Sequence, residues 1–123
     1  MHWDIEYSEK DKTIYLKYTG RSELELFKRS FEECVSLATK FDVIRFLVDV
    51  SDLESALTAV DIYEFPKAYD RLLVERKTRF AVIQSEDPGI RKNLAFFETV
   101  CRNRGYLVKL FEDRETAVAW LKE

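Results

Sequence analysis

Trp3, Ile5 and Tyr7 alternate with Asp4 and Glu6, and Ile14, Leu16 and Tyr18 alternate with Tyr15 and Lys17. A period of two sets one side chain toward a core and the next toward water, so each segment reads as a strand. The polar run Ser8 to Thr13 between them predicts an antiparallel hairpin, and Gly20 ends the pattern. The spacing then changes to three and four, with Leu24, Phe27, Phe31, Cys34, Val35 and Ala38 on one side. That is an amphipathic helix covering a sheet. Ser22 and Glu25 have the S-x-x-E spacing of a capping box and predict where it starts.

Val43 to Val50 is almost continuously apolar, broken by Arg45 and by Asp49 near its end. This is the pattern of an interior strand covered on both faces. Arg79 to Gln84 and Tyr106 to Phe111 look alike, and each follows a helix-like segment, so the last three strands are expected to run parallel. Asp87 with Pro88 opens a helix and Gly105 closes it, with Ile90, Leu94, Phe97 and Val100 as the buried stripe. Asp113 caps a last helix that buries Ala117, Trp120 and Leu121. Pro66 cannot donate an amide, so residues 52–65 are expected to be irregular. A helix from Pro66 to Glu75 is expected next, with Tyr69, Leu72 and Leu73 inward. The expected fold is α/β: one domain over 1–123, a mixed five-stranded sheet with an N-terminal antiparallel hairpin and parallel βα units. Its order is β-β-α-β-α-β-α-β-α, with about four helices.

Composition agrees with a self-sufficient core, at 46% apolar and 35% charged residues, with three Gly, two Pro and no repeat or linker. Cys34 and Cys101 match neither a disulfide framework nor metal-ligand spacing and read as reduced core thiols. The start of the chain lacks the apolar stretch of a secretory signal, and no segment approaches the roughly 20 apolar residues of a membrane span. A cytoplasmic location is expected. A net charge of −3 offers no general attraction to nucleic acid or anionic membrane, so neither is an expected partner.

Most catalytic signatures are excluded by inspection. Gly20, Gly89 and Gly105 build no phosphate-binding loop, and His2 is the only histidine. No cofactor is implied. Ligand sites in open α/β sheets form beyond the carboxyl ends of parallel strands, which would assemble Asp49, Ser51, Asp52, Ser85, Glu86, Asp87, Glu112 and Asp113. Such a rim would hold Mg²⁺ or tune a proton-transfer group. The plainer reading is preferred, because Asp87 and Asp113 fall where helix caps belong and Asp52 suits the same part. No tight metal site is expected. Arg71, Arg76, Lys77 and Arg79, with Arg91, Lys92, Arg102 and Arg104, would suit an anionic ligand, but Glu75, Glu86, Asp87 and Glu98 among them favour a solvated mixed-charge face.

Phe46-Leu47-Val48-Asp49-Val50-Ser51 resembles the hydrophobic-Asp-hydrophobic-Ser segment of STAS domains, the anti-sigma-factor-antagonist fold. Arg79-Phe80-Ala81-Val82-Ile83, the turn Arg102-Asn103-Arg104-Gly105-Tyr106 and Val108 to Leu121 resemble its SpoIIAA-like branch of small bacterial proteins. The resemblance implies a module that binds a partner protein or small ligand without chemistry, and that is the leading expectation here. Phosphorylated members carry a later Asp-Ser-Ser-Gly motif, and the corresponding interval here is Leu57-Thr58-Ala59-Val60. Only Thr58 offers a hydroxyl there, which argues against a kinase-driven switch. The rim proposed for a partner or ligand is Asp49, Ser51, Asp52, Thr58, Ser85 and Asp87. Two other readings remain: a binder of a small anionic or lipidic ligand, and a Mg²⁺-dependent receiver with Asp49 as phosphoacceptor. The identity of a partner and the oligomeric state are left open.

Overall fold

The computed structural model describes residues 1–123. Its elements in chain order are β1 (His2–Ser8), β2 (Thr13–Gly20), α1 (Leu24–Phe41), β3 (Arg45–Leu53), α2 (Ala59–Glu64), α3 (Lys67–Arg71), β4 (Arg79–Ile83), α4 (Pro88–Asn103), β5 (Leu107–Phe111) and α5 (Arg114–Leu121). All five strands join one sheet in the order β1-β2-β3-β4-β5, with β1 antiparallel to β2 and every later neighbour parallel. The expected mixed sheet is therefore present, and its parallel part extends back to include β2.

Parallel neighbours need crossovers, and crossovers are nearly always right-handed. The sheet grows in one direction only, so that rule sends every crossover to the same face. Phe31 and Cys34 of α1, Phe65 after α2, Tyr69 of α3 and Cys101 of α4 do share one buried cluster with Ile14, Phe46, Phe80 and Val108. The register lines these residues up: Tyr7, Ile14, Phe46, Phe80 and Val108 form one row across the sheet, and Ile5, Leu16, Val48, Val82 and Leu110 the next. Alternation puts Leu47, Ala81 and Ile83 on the opposite face, where only α5 covers them through Ala117 and Leu121.

Within the main core the Tyr18 hydroxyl is hydrogen-bonded to Ser30. Ser30 gives its own proton to the Phe27 carbonyl at 2.9 Å, so Tyr18 is the donor in that pair. Ser30→Ala should leave a buried phenol unpaired and destabilise by about 1–3 kcal/mol, whereas Tyr18→Phe, which leaves Ser30 bonded to Phe27, should cost about 1 kcal/mol. Urea unfolding of the two variants checks the order, and a larger loss for Tyr18→Phe would contradict it.

The structure departs from five local expectations. Ser22 does not cap α1: its N–H donates to Ser55 Oγ at 3.0 Å and its hydroxyl to the Ser55 carbonyl, while Glu23 holds the cap position without a side-chain bond. Residues 59–64 are helical, because Thr58 caps α2 by accepting the Asp61 N–H at 3.2 Å. The helix expected from Pro66 to Glu75 ends at Arg71. Leu73 lies just past that end in the left-handed region at φ 57°, which turns its side chain outward to 86% exposure although it was expected inside. Trp120, expected to be buried, is half-buried: it packs against the edge of the cluster that Ala117 and Leu121 enter fully.

Candidate functional site

β3 runs past Asp49 to Leu53, so Asp49, Ser51 and Asp52 all lie on the strand. Lys17 pairs with Asp49, yet two residues later Thr19 pairs with Asp52, so β3 carries one extra residue between these positions. Residues three apart on a regular strand face opposite ways, and the bulge cancels that parity. Both carboxylates consequently reach one ammonium group, Lys17 Nζ, at 3.4 Å from Asp49 and 2.9 Å from Asp52. Asp49 also accepts the Ser51 N–H at 2.9 Å and the Ser51 hydroxyl at 2.6 Å. Burial works against the Asp49 charge, but the Ser51 bonds and Lys17 outweigh it and hold this carboxyl below its usual range. Lys17 is held above its ordinary value, chiefly by its bond to Asp52.

Ser85 and Asp87 belong to a separate group at the start of α4. Asp87 caps that helix, accepting the Gly89 N–H at 2.9 Å and the Ile90 N–H at 3.1 Å, and donates its own N–H to the buried Ser85 Oγ at 3.0 Å. Glu112 takes a two-pronged bond from Arg91 at 2.6 and 3.0 Å, which lowers its pKa. Asp113 caps α5, and the Thr116 backbone bond lowers it likewise. A general acid working near neutral pH needs a raised carboxyl, and Asp49, Glu112 and Asp113 are all shifted the other way. No three His, Cys, Asp or Glu side chains converge on a point where a metal ion would sit.

The basic residues are largely committed inside the molecule. Arg76 stacks on the Tyr106 ring at 4.0 Å and bonds Asp70, which also pairs with Arg104 and accepts from the Tyr106 hydroxyl. Arg79 donates to the Trp120 carbonyl at 2.6 Å and Arg102 to that of Val108 at 2.9 Å. Cys34 and Cys101 are free and buried.

Two features went unseen in the sequence. The first is the outer side of α2, where Val60 is 72% and Tyr63 53% exposed, three residues apart on the helix that Thr58 begins. The signal was present as Thr58-Ala59-Val60-Asp61, a T-x-x-D start. The second is a cavity of about 110 Å³ between the sheet and the cover formed by α1, α2 and α4.

No protein-family model matches the chain, and no curated protein matches it significantly. Among solved structures, an anti-sigma factor antagonist from Mycobacterium paratuberculosis superposes with a TM-score of 0.64 at 13% identity, over 99% of this chain and 96% of that one. This chain has a SpoIIAA-like fold. An uncharacterised DUF3478 protein from Shewanella loihica PV-4, itself described as SpoIIAA-like, superposes at 0.57 with 21% identity, over 98% and 92%. Both superpositions cover nearly the whole chain, and so the whole five-stranded sheet and not one part of it. No helix is long and apolar enough to cross a membrane.

Proposed function

We propose that this chain is a regulatory protein-interaction module without chemistry of its own, docking a protein partner on the outer side of α2 and the adjoining end of β3. The observation that carries this reading is the exposure of Val60 and Tyr63 beside the Thr58 cap. Two large apolar side chains in water at one turn of a short helix suit the apolar centre of an interface. Around them the charge is mixed: Glu54 and Asp61 lie in the same stretch of chain, while Asp52 is paired with Lys17 at 2.9 Å and Glu64 with Lys67 at 3.0 Å, so the matching partner surface is apolar at its centre and polar, with both signs of charge, around it. The neighbour named an anti-sigma factor antagonist has, by that name, a protein as its target, which supports a protein partner here.

In this reading Asp49 and Ser51 shape the bulged end of β3, Asp52 ties that end to Lys17, Thr58 holds α2 in place, and Ser85 and Asp87 fix the neighbouring start of α4. Ser51 and Thr58 act unmodified, since a phosphate would bring about −1.5 to −2 charges next to Asp49, Asp52 and Asp61.

The test is recovery of bound proteins from the native cell by the wild type and by a Val60→Asp/Tyr63→Ala variant, followed by calorimetry with each purified partner. A partner whose affinity falls at least tenfold in the variant is expected, with circular dichroism unchanged. Partners that bind the folded variant as tightly as the wild type would refute this docking surface.

A further inference from the structure

We infer that the cavity between the sheet and α1, α2 and α4 is a binding site for a small neutral apolar molecule, an aromatic ring or a short alkyl chain. Nineteen of its twenty-one lining residues are hydrophobic and none is charged. The two polar ones, Ser22 and Asn93, spend hydrogen bonds on the 54–58 segment: Ser22 donates to the Ser55 carbonyl and Asn93 to that of Leu57 at 3.0 Å. A water molecule needs two to four polar partners to settle in a cavity. This wall provides little for water and nothing to offset the desolvation of an ion.

Size narrows the occupant further. Pockets for drug-sized ligands run to about 300–1,000 Å³, whereas a dry cavity of about 150 Å³ takes up benzene. At about 110 Å³ the site is too small for a nucleotide or a whole lipid and suits a single ring or a few methylenes. Its walls include Phe27, Phe65 and Phe97, with Phe65 6.1 Å from Phe27 and 6.0 Å from Phe97 in inclined arrangements. Inclined rings leave edges and faces for another ring to meet.

The site is also reachable. Val48 sits in the central strand, in the row that the helices cover, where full burial would be ordinary. It is only half-buried, as are Phe27, Leu57, Leu94 and Phe97 around it. The cover therefore does not close over the middle of the sheet. This inference stands on the cavity alone and is independent of any protein docking on α2.

The experiment is an amide chemical-shift titration of the isotope-labelled chain with toluene and n-hexanol, and with hexylammonium as the charged control. Saturable shifts centred on Leu16, Val48, Val82 and Leu94 are expected with the two neutral probes, and binding at least tenfold weaker with the charged one. Val48→Phe and Leu94→Phe, which place a ring inside the cavity, should each weaken toluene binding at least tenfold in a folded protein. Absence of saturable wild-type shifts up to the solubility limit of both probes would overturn the inference. So would undiminished toluene binding in either folded variant.

Discussion

Phe31→Ala should destabilise the fold by about 3–5 kcal/mol, the range for removing a buried aromatic side chain. Phe31 is where α1 meets the rest of the core: its ring stacks on Tyr69 at 4.4 Å and lies 5.7 Å from Phe65 and 6.0 Å from Phe80. One truncation thus removes partners from α3, from the end of α2 and from β4 together. Phe31 also lines the existing cavity, so the lost volume joins a void that the surroundings already fail to fill, which places the cost toward the upper end. Domains of this size are stable by about 5–15 kcal/mol, and the variant should be close to unfolding. Urea denaturation measures the loss, with Phe31→Leu as a folded intermediate and Phe96→Ala as a surface control. A Phe31→Ala loss below about 1.5 kcal/mol would show that α1 is not anchored through this ring.

Between about pH 9 and 12 the fold should lose much of its stability. Burial pushes the Cys34 thiol from its ordinary 9.0 up to about 12. Burial, with the Asp70 carboxylate beside it, pushes the Tyr106 hydroxyl from 10.0 up to about 12. Burial raises Tyr18, Tyr69 and Cys101 as well. Every one of these folded values lies above its unfolded value, so the native state keeps protons that the unfolded chain gives up. Their stabilising contribution is complete below about pH 9 and declines as pH rises. At 1.36 kcal/mol per unit, Cys34 and Tyr106 alone remove about 4 kcal/mol by about pH 11. Tyrosinate absorbance from Tyr18, Tyr69 and Tyr106 should appear only together with loss of helical circular dichroism. Full ionisation of all six tyrosines with the helical signal intact would contradict this.

What was legible in the chain is what local chemistry decides. Ile14, Leu16 and Tyr18 alternate because one face of their strand is buried, and Asp87-Pro88 marks the start of α4 through bonds to amides two and three residues away. Ser22 misled because its hydroxyl is taken by Ser55, 33 residues on, which no nearest-neighbour rule anticipates. Leu73 misled because helical periodicity continues on paper beyond the point where the backbone turns left-handed. Of the candidate site, the nearness of Asp49 and Ser51 follows from the sequence. The convergence of Asp49 and Asp52 on Lys17 depends on a bulge that only strand pairing reveals. The cavity was out of reach for a different reason, since Phe27, Leu94 and Phe97 bear the same apolar signature whether they meet a neighbour or a gap.

The strand order has a consequence for how the protein can be made. Because spatial order and chain order coincide, a polypeptide leaving the ribosome N-terminus first adds each strand to the edge formed by the previous one. No strand must be inserted between two already paired, and no finished pair must reopen. The hairpin, the most local of the pairings, emerges first, and each βα unit can dock as it appears. Until the next strand arrives, the growing edge is open to a neighbouring nascent chain. The edge that remains is that of β5, only five residues long and with Lys109 at its middle, a short and charged strand that discourages such pairing.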